Sequence, residues 1–166
     1  MLKNQTPEAV AVYTIQMLYD IESVLEKAIP KMIKAVSDEV LRAGFETHLA
    51  QTTNQKERLE AVFSSYDKKP RKVKVEAIRA LITDSKTLLD QLEDEVLIDY
   101  VLAASGRAIE HYEMALYRAA IIDAQNLELT DVEELLQKNL EEELVMDGAL
   151  AIWVENNPPT LYPAKL

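Results

Sequence analysis

The chain has no cysteine, only 3 glycines and 6 prolines in 166 residues, and two histidines. Without cysteine there is no disulfide, no thiolate metal site and no sulfur nucleophile, although proteins of oxidising compartments also lack it. So few glycines and prolines leave little to interrupt helices, so long ones are expected. No apolar run approaches the ~20 residues that a membrane span requires. Met1-Leu2-Lys3-Asn4-Gln5 leads straight into an amphipathic segment and has no signal-peptide pattern. Positive charge is also scarce: 18 Lys and Arg face 29 Asp and Glu, a net charge of −11. Such a surface repels nucleic acid and anionic membranes, so neither is expected as a partner. The one basic run, from Lys68 to Lys74, falls where a loop and a helix start are predicted and reads as a solvated segment. There is no glycine-rich phosphate loop and no recognisable Ser-His-Asp arrangement. The expected setting is the cytoplasm.

What is present is a helical pattern. Hydrophobic residues make up 48% of the chain, enough for one domain with a sizeable core. Apolar residues recur in steps of three and four along four long segments, about 7–36, 38–65, 93–126 and 130–156. A shorter segment, about 74–92, lies between the second and third of these, and an extended tail is expected over 157–166. Thr6 and Pro7 form a helix start, Ser37-Asp38 a break and a new cap, and Thr130 with Glu133 a capping box. Pro30 is expected to kink the first helix near its end. Gly106, inside a helix, suggests a close approach by a neighbour. Two helical hairpins joined by a long crossover carrying its own helix give an all-α, ferritin-like four-helix bundle.

Each long helix carries an acid or amide at mid-length on its apolar stripe. These are Glu22, Gln51, Glu110 with Glu113, and Glu143 with Asp147. A buried carboxylate is costly unless paired or bound to a metal. Antiparallel helices of similar length cross at their centres, so Glu22, Glu110, Glu113, Glu143 and Asp147 are expected in one layer. Left bare, they would repel one another and take up protons; two divalent cations would nearly neutralise them. Oxygen-rich ligation suits iron or manganese, and also magnesium or calcium. His48 lies on the stripe about one turn before Gln51, as a hydrogen-bonded core histidine or as a ligand. His111 is turned ~100° from Glu110, and Tyr19, Tyr112 and Tyr117 flank the layer.

Four segments carry a family resemblance. They are Leu18-Tyr19-Asp20-Ile21-Glu22, His48-Leu49-Ala50-Gln51-Thr52 followed by Gln55, Ile109-Glu110-His111-Tyr112-Glu113 followed by Tyr117, and Leu140-Glu141-Glu142-Glu143 followed by Asp147. In order and spacing, over about Val10 to Asn156, they resemble the YciE/YciF-type ferritin-like stress-response proteins. The resemblance implies a ferritin-like bundle, a dinuclear metal centre and a homodimer. Carried over by position, Glu22, Glu110, Glu113, Glu143 and Asp147 are the metal-site residues. Two positions depart from the family pattern: Gln51 stands where Glu is typical, and Arg107 where Gln is common. Arg107 is three residues before Glu110, so its guanidinium is expected to reach Glu110 or Glu143 and replace a metal. Two functions stay open: metal handling or oxygen and peroxide chemistry at the carboxylate site, or a metal-free structural or interaction protein whose site is degenerate through Gln51 and Arg107.

Overall fold

The structure, a computed structural model, describes residues 5–159. It contains five helices: α1 (Pro7–Ala35), α2 (Glu39–Ser65), α3 (Glu76–Leu89), α4 (Glu95–Asn126) and α5 (Thr130–Asn156). The described residues include no strand. Short links pair α1 with α2 and α4 with α5 as antiparallel hairpins. The hairpins pack with α1 against α4 and α2 against α5, while α3 lies outside, on α4 and α1. This is the ferritin-like four-helix bundle with a crossover helix. Most of the expected tail, including Leu161-Tyr162-Pro163, lies outside the described residues.

Local chemistry sets most of the helix ends. Thr6 accepts from the Ala9 N–H at 3.2 Å, Asp38 from Leu41 at 2.8 Å and Asp94 from Leu97 at 3.1 Å. The last of these starts α4 at Glu95, two residues later than expected. α1 continues through Pro30 as helix to Ala35. The capping box at Thr130 does not form: Leu129 is the N-cap, without a side-chain bond, and Glu133 accepts instead from Gln125 at 2.7 Å. The competing structure is the end of α4. There Glu128 takes a left-handed φ of 57°, its N–H donates to the Gln125 carbonyl, and the Leu129 N–H donates to the Ala124 carbonyl. This is a Schellman closure with glutamate where glycine is usual. α2 ends the same way, with Asp67 at φ 51° and the Lys68 N–H on the Phe63 carbonyl.

The turn between α1 and α2 is held from two sides. Buried Asp99 of α4 accepts from the Ser37 N–H (2.8 Å), the Ser37 hydroxyl (2.6 Å) and the Asp38 N–H (2.8 Å). Arg42 donates to the carbonyls of Ile33 and Val36 at the end of α1. One hairpin is thereby locked to the other, which fixes the relative heights of α1, α2 and α4. At Gly106 a Cβ would meet Leu150 Cδ1 at 3.0 Å, so this glycine lets α5 approach α4 closely.

The apolar core is divided. One cluster contains Leu18, Leu59, Phe63, Met114 and Leu136; the other contains Leu25, Phe45, Leu102, Ile109 and Leu150. On each bundle helix the sequence passes from one cluster to the other through buried polar residues: Glu22 on α1, His48, Thr52 and Gln55 on α2, Glu110 and Glu113 on α4, Asn139 and Glu143 on α5. A polar layer therefore crosses the bundle between two apolar halves.

Glu128 is exposed, and a left-handed conformation costs a residue with a Cβ about 1–2 kcal/mol. Part of the gain from Glu128→Gly is offset by the freer unfolded chain. The substitution should raise stability by about 0.5–1 kcal/mol, read as a higher denaturant midpoint with unchanged slope.

Candidate metal centre

Four side chains in the polar layer bring one donor atom each within 4.8 Å of all the others: His48, Glu110, Glu113 and Glu143. All four are buried. His48 Nε2 lies 3.2 Å from Glu110 Oε1. Gln55 Nε2 donates to Glu143 Oε1 at 2.5 Å. Glu22, fully buried beside this group, accepts a hydrogen bond from the Tyr117 hydroxyl. That hydroxyl accepts in turn from Asn139 Nδ2 at 3.0 Å. Asn139 Oδ1 accepts from Arg58 at 2.5 Å, and Arg58 forms a two-point pair with Glu142 at 2.6 and 2.9 Å. A chain of hydrogen bonds thus runs from the core to the α2–α5 surface.

The layer is electrostatically strained. Burial, then the charge of Glu143, pushes Glu22 well above the usual carboxylate range, and the Tyr117 hydrogen bond only partly opposes this. Glu113 is raised well above that range by burial, then by Glu143, Glu22 and Glu110. Glu143 is raised by burial and by Glu110. Glu110 is pushed up to about 7, mainly by burial, with its proximity to Glu143 acting against the shift and the charges of Glu22 and Asp147 adding to it. Tyr117 is also raised, by burial and then by Glu22. These groups favour either bound protons or bound cations.

Of the acids read from the sequence, the structure brings Glu22, Glu110, Glu113 and Glu143 together in the interior. Asp147 lies at the rim, where it accepts from Arg107 Nε at 2.8 Å and stands 3.4 Å from His111 Nε2. This corrects the expectation for Arg107. Its side chain is 35% exposed and pairs with Asp147, not with Glu110 or Glu143. The three-residue offset turns it ~60° from Glu110, enough to carry it to the edge of the bundle.

The position expected for Gln51 is corrected as well. His48, Thr52 and Gln55 are spaced four and three apart and share the inner face, whereas Gln51 is turned ~100° from Thr52. It lines a surface depression with Arg58, Lys138 and Glu142. Gln55 and Asn139, not among the expected site residues, also lie buried in the layer. The spacing of His48, Thr52 and Gln55 was the available signal for the first, while Asn139, four residues before Glu143, had none beyond its place on the α5 stripe.

The fold and this layer define an all-α bundle with a carboxylate and imidazole cluster at its centre. The family described as Domain of unknown function (DUF892) matches residues 6–157, and the chain belongs to that family. Over 157 residues it is 31% identical to protein YciF of Escherichia coli (strain K12), covering 94% of this chain and 95% of that one. The crystal structure of the E. coli stress protein YciF superposes with a TM-score of 0.88, covering 93% of this chain and 98% of that chain. YcfI of Rhodopseudomonas palustris, whose description proposes a structural role, superposes with a TM-score of 0.87 at 32% identity, covering 96% and 98%. The YciF-type relationship read from the four sequence segments is thus the one found.

Glu110 at about 7, against an ordinary 4.5, binds more protons in the folded chain than in the unfolded one between those values. Stability of the metal-free protein should therefore fall as pH rises through that window, and Glu22, Glu113 and Glu143, shifted the same way, extend the fall upward. Denaturant unfolding of chelator-treated protein across this range checks it; a flat or rising profile would contradict the assignment.

Proposed function

We propose that this chain is a metal-binding member of its stress-protein family, holding two divalent cations, iron or manganese first, among Glu22, His48, Glu110, Glu113 and Glu143. One observation carries the reading: these residues keep buried polar atoms with no hydrogen-bond partner among the described residues. The atoms are both carboxylate oxygens of Glu113, one oxygen each of Glu22, Glu110 and Glu143, and Nδ1 of His48. Each such atom costs about 1–3 kcal/mol or more if left unsatisfied, and several in contact are hard to carry without a counter-charge. Carboxylate oxygens with one imidazole fit iron and manganese. Such cations supply Lewis acidity and, being redox-active metals, electron exchange with oxygen or peroxide. The chain's own residues orient the donors: Tyr117 holds one oxygen of Glu22, Gln55 one oxygen of Glu143, and the two apolar clusters exclude water above and below.

A second reading, a metal-free structural protein, draws on the description of YcfI. It also draws on the raised carboxyls, which could hold protons in place of a cation. The homodimer belongs to the same set of proposals. It is supported by Val145 and Ile152 of α5, apolar residues 68% and 61% exposed, and a monomer mass by light scattering at working concentration would remove it.

Elemental analysis of untagged protein purified without chelators separates the two readings. The metal reading expects about two divalent ions per chain, and stabilisation of the chelated protein by about 2.7 kcal/mol at a hundredfold excess over the dissociation constant. In Glu113→Gln, metal content should fall by half or more. The chelated variant should at the same time be more stable than the chelated parent at alkaline pH, because a buried charge has gone. A parent without metal, unmoved by added manganese or ferrous iron, would leave the structural reading.

A further inference from the structure

In a chain of net charge −11, one depression on the α1–α3 side is lined by four cations and a single acid. The acid, Asp20, is already engaged. Arg79 binds it at 2.6 and 3.1 Å and the Val75 N–H at 2.9 Å. That leaves Lys27, Lys31 and Lys72 as surplus positive charge. Lys27 and Lys31 are four apart on α1 and exposed, and form no ion pair among the described residues. Like charges at this spacing cost a helix a few tenths of a kcal/mol. The Lys72 ammonium lies 5.5 Å from the centre of the Tyr19 ring.

This depression, of about 370 Å³, does not end at the lysines. It shares Ala28, Lys31 and Ile82 with a second cavity of about 350 Å³, an apolar groove between α1, α3 and α4 walled by Met32, Leu89, Leu102 and Ile109. Met32 and Ile109 also line a small void against His48 and Glu110. The two cavities adjoin along Ala28, Lys31 and Ile82 and form a cleft with a basic end and an apolar end, and Met32 and Ile109 stand between the apolar end and the polar layer.

We propose that this cleft binds a medium-chain fatty acid, with the carboxylate at Lys27, Lys31 and Lys72 and the alkyl tail along the groove beneath α3. Charge complementarity selects the head: three lysines around a single carboxylate, Asp20, that Arg79 and the Val75 N–H already hold, on an otherwise acidic protein. Lysines act as point charges and do not demand the planar two-point partner that arginine prefers. The apolar lining selects the tail, and the groove's volume, at the low end of the range for small-molecule sites, suits one chain. Seated there, the tail lies against Met32 and Ile109, the residues that part it from His48 and Glu110.

Titration calorimetry with dodecanoate below its micelle concentration tests this, on chelator-treated chain, so that a failure concerns the cleft and leaves the metal reading untouched. Saturable binding of dodecanoate is expected, with dodecanol and acetate each binding about tenfold more weakly or worse, since each lacks one half of the recognition. The double variant K27E/K31E touches only exposed side chains and should keep its thermal midpoint while losing about tenfold or more in dodecanoate affinity. Ala28→Trp, at the junction of the two cavities, should weaken binding and leave the acetate response unchanged. No saturable binding, or equal affinity in K27E/K31E, would overturn the proposal. So would dodecanol binding as tightly as dodecanoate. A dimer mass that K27E/K31E abolishes, without fatty-acid binding in the parent, would assign the cleft to a second copy of the chain and overturn it too.

Discussion

The interaction on which the rest depends is the mutual repulsion of four glutamates, Glu22, Glu110, Glu113 and Glu143, buried at one height in the bundle. An apolar layer there would be easier to fold. The chain instead interrupts the stripe of every bundle helix with polar residues and keeps hydrophobic clusters on both sides. Burial raises each of these carboxyls above its ordinary range, and each charge raises its neighbours further. Such an arrangement persists when something positive, a proton or a cation, is part of the folded state. The hydrogen bonds from Tyr117 and Gln55 reach only one oxygen of Glu22 and one of Glu143, which orients those groups without satisfying them.

Holding that layer together is a matter of height. A slip of one helix by a single turn would move its acid about 5.4 Å along the bundle and out of reach of the others. The registration comes from contacts outside the layer itself. Asp99 ties the α1–α2 turn to α4, and Gly106 lets α5 sit close on α4. The two Schellman closures end α2 and α4 sharply even though Asp67 and Glu128 are poor residues for the conformation. The bundle thus accepts local strain at its ends and electrostatic strain at its middle, and the apolar clusters between them offset both.

The outer surface is unevenly charged in a way that the net figure hides. Arg107 and Asp147 at one rim, Arg58 and Glu142 at another, are balanced pairs. The mouth beside α3 is not balanced: Asp20 is committed to Arg79, and the lysines around it face solvent. Burial alone would raise Asp20, but hydrogen bonds from Arg79 and from the Val75 N–H outweigh it and hold the carboxyl below its ordinary value. The crossover helix, which has no in-stripe acid of its own, is then more than a connector. It roofs an apolar groove whose floor is made by α1 and α4, the helices that carry Glu22, Glu110 and Glu113.

Much of this was written in the linear order of residues. Helix periodicity, scarce glycine and proline, and the caps at Thr6 and Asp38 specify the long helices, and the mid-stripe acids specify that their centres are polar, because these depend on spacings of three and four within one helix. The four-segment pattern carried the family for the same reason: order and spacing are sequence properties. The tertiary structure decided what angle about a helix axis decides. Arg107 pairs with Asp147 at the rim of the layer, half-buried Gln51 lines a surface depression while Thr52 turns inward, and Glu128 denies Thr130 its capping box by closing α4 first. Each of these outcomes turns on a rotation of ~40–100° or on which of two helix ends claims the backbone groups between them, and only packing against a second helix settles such a choice.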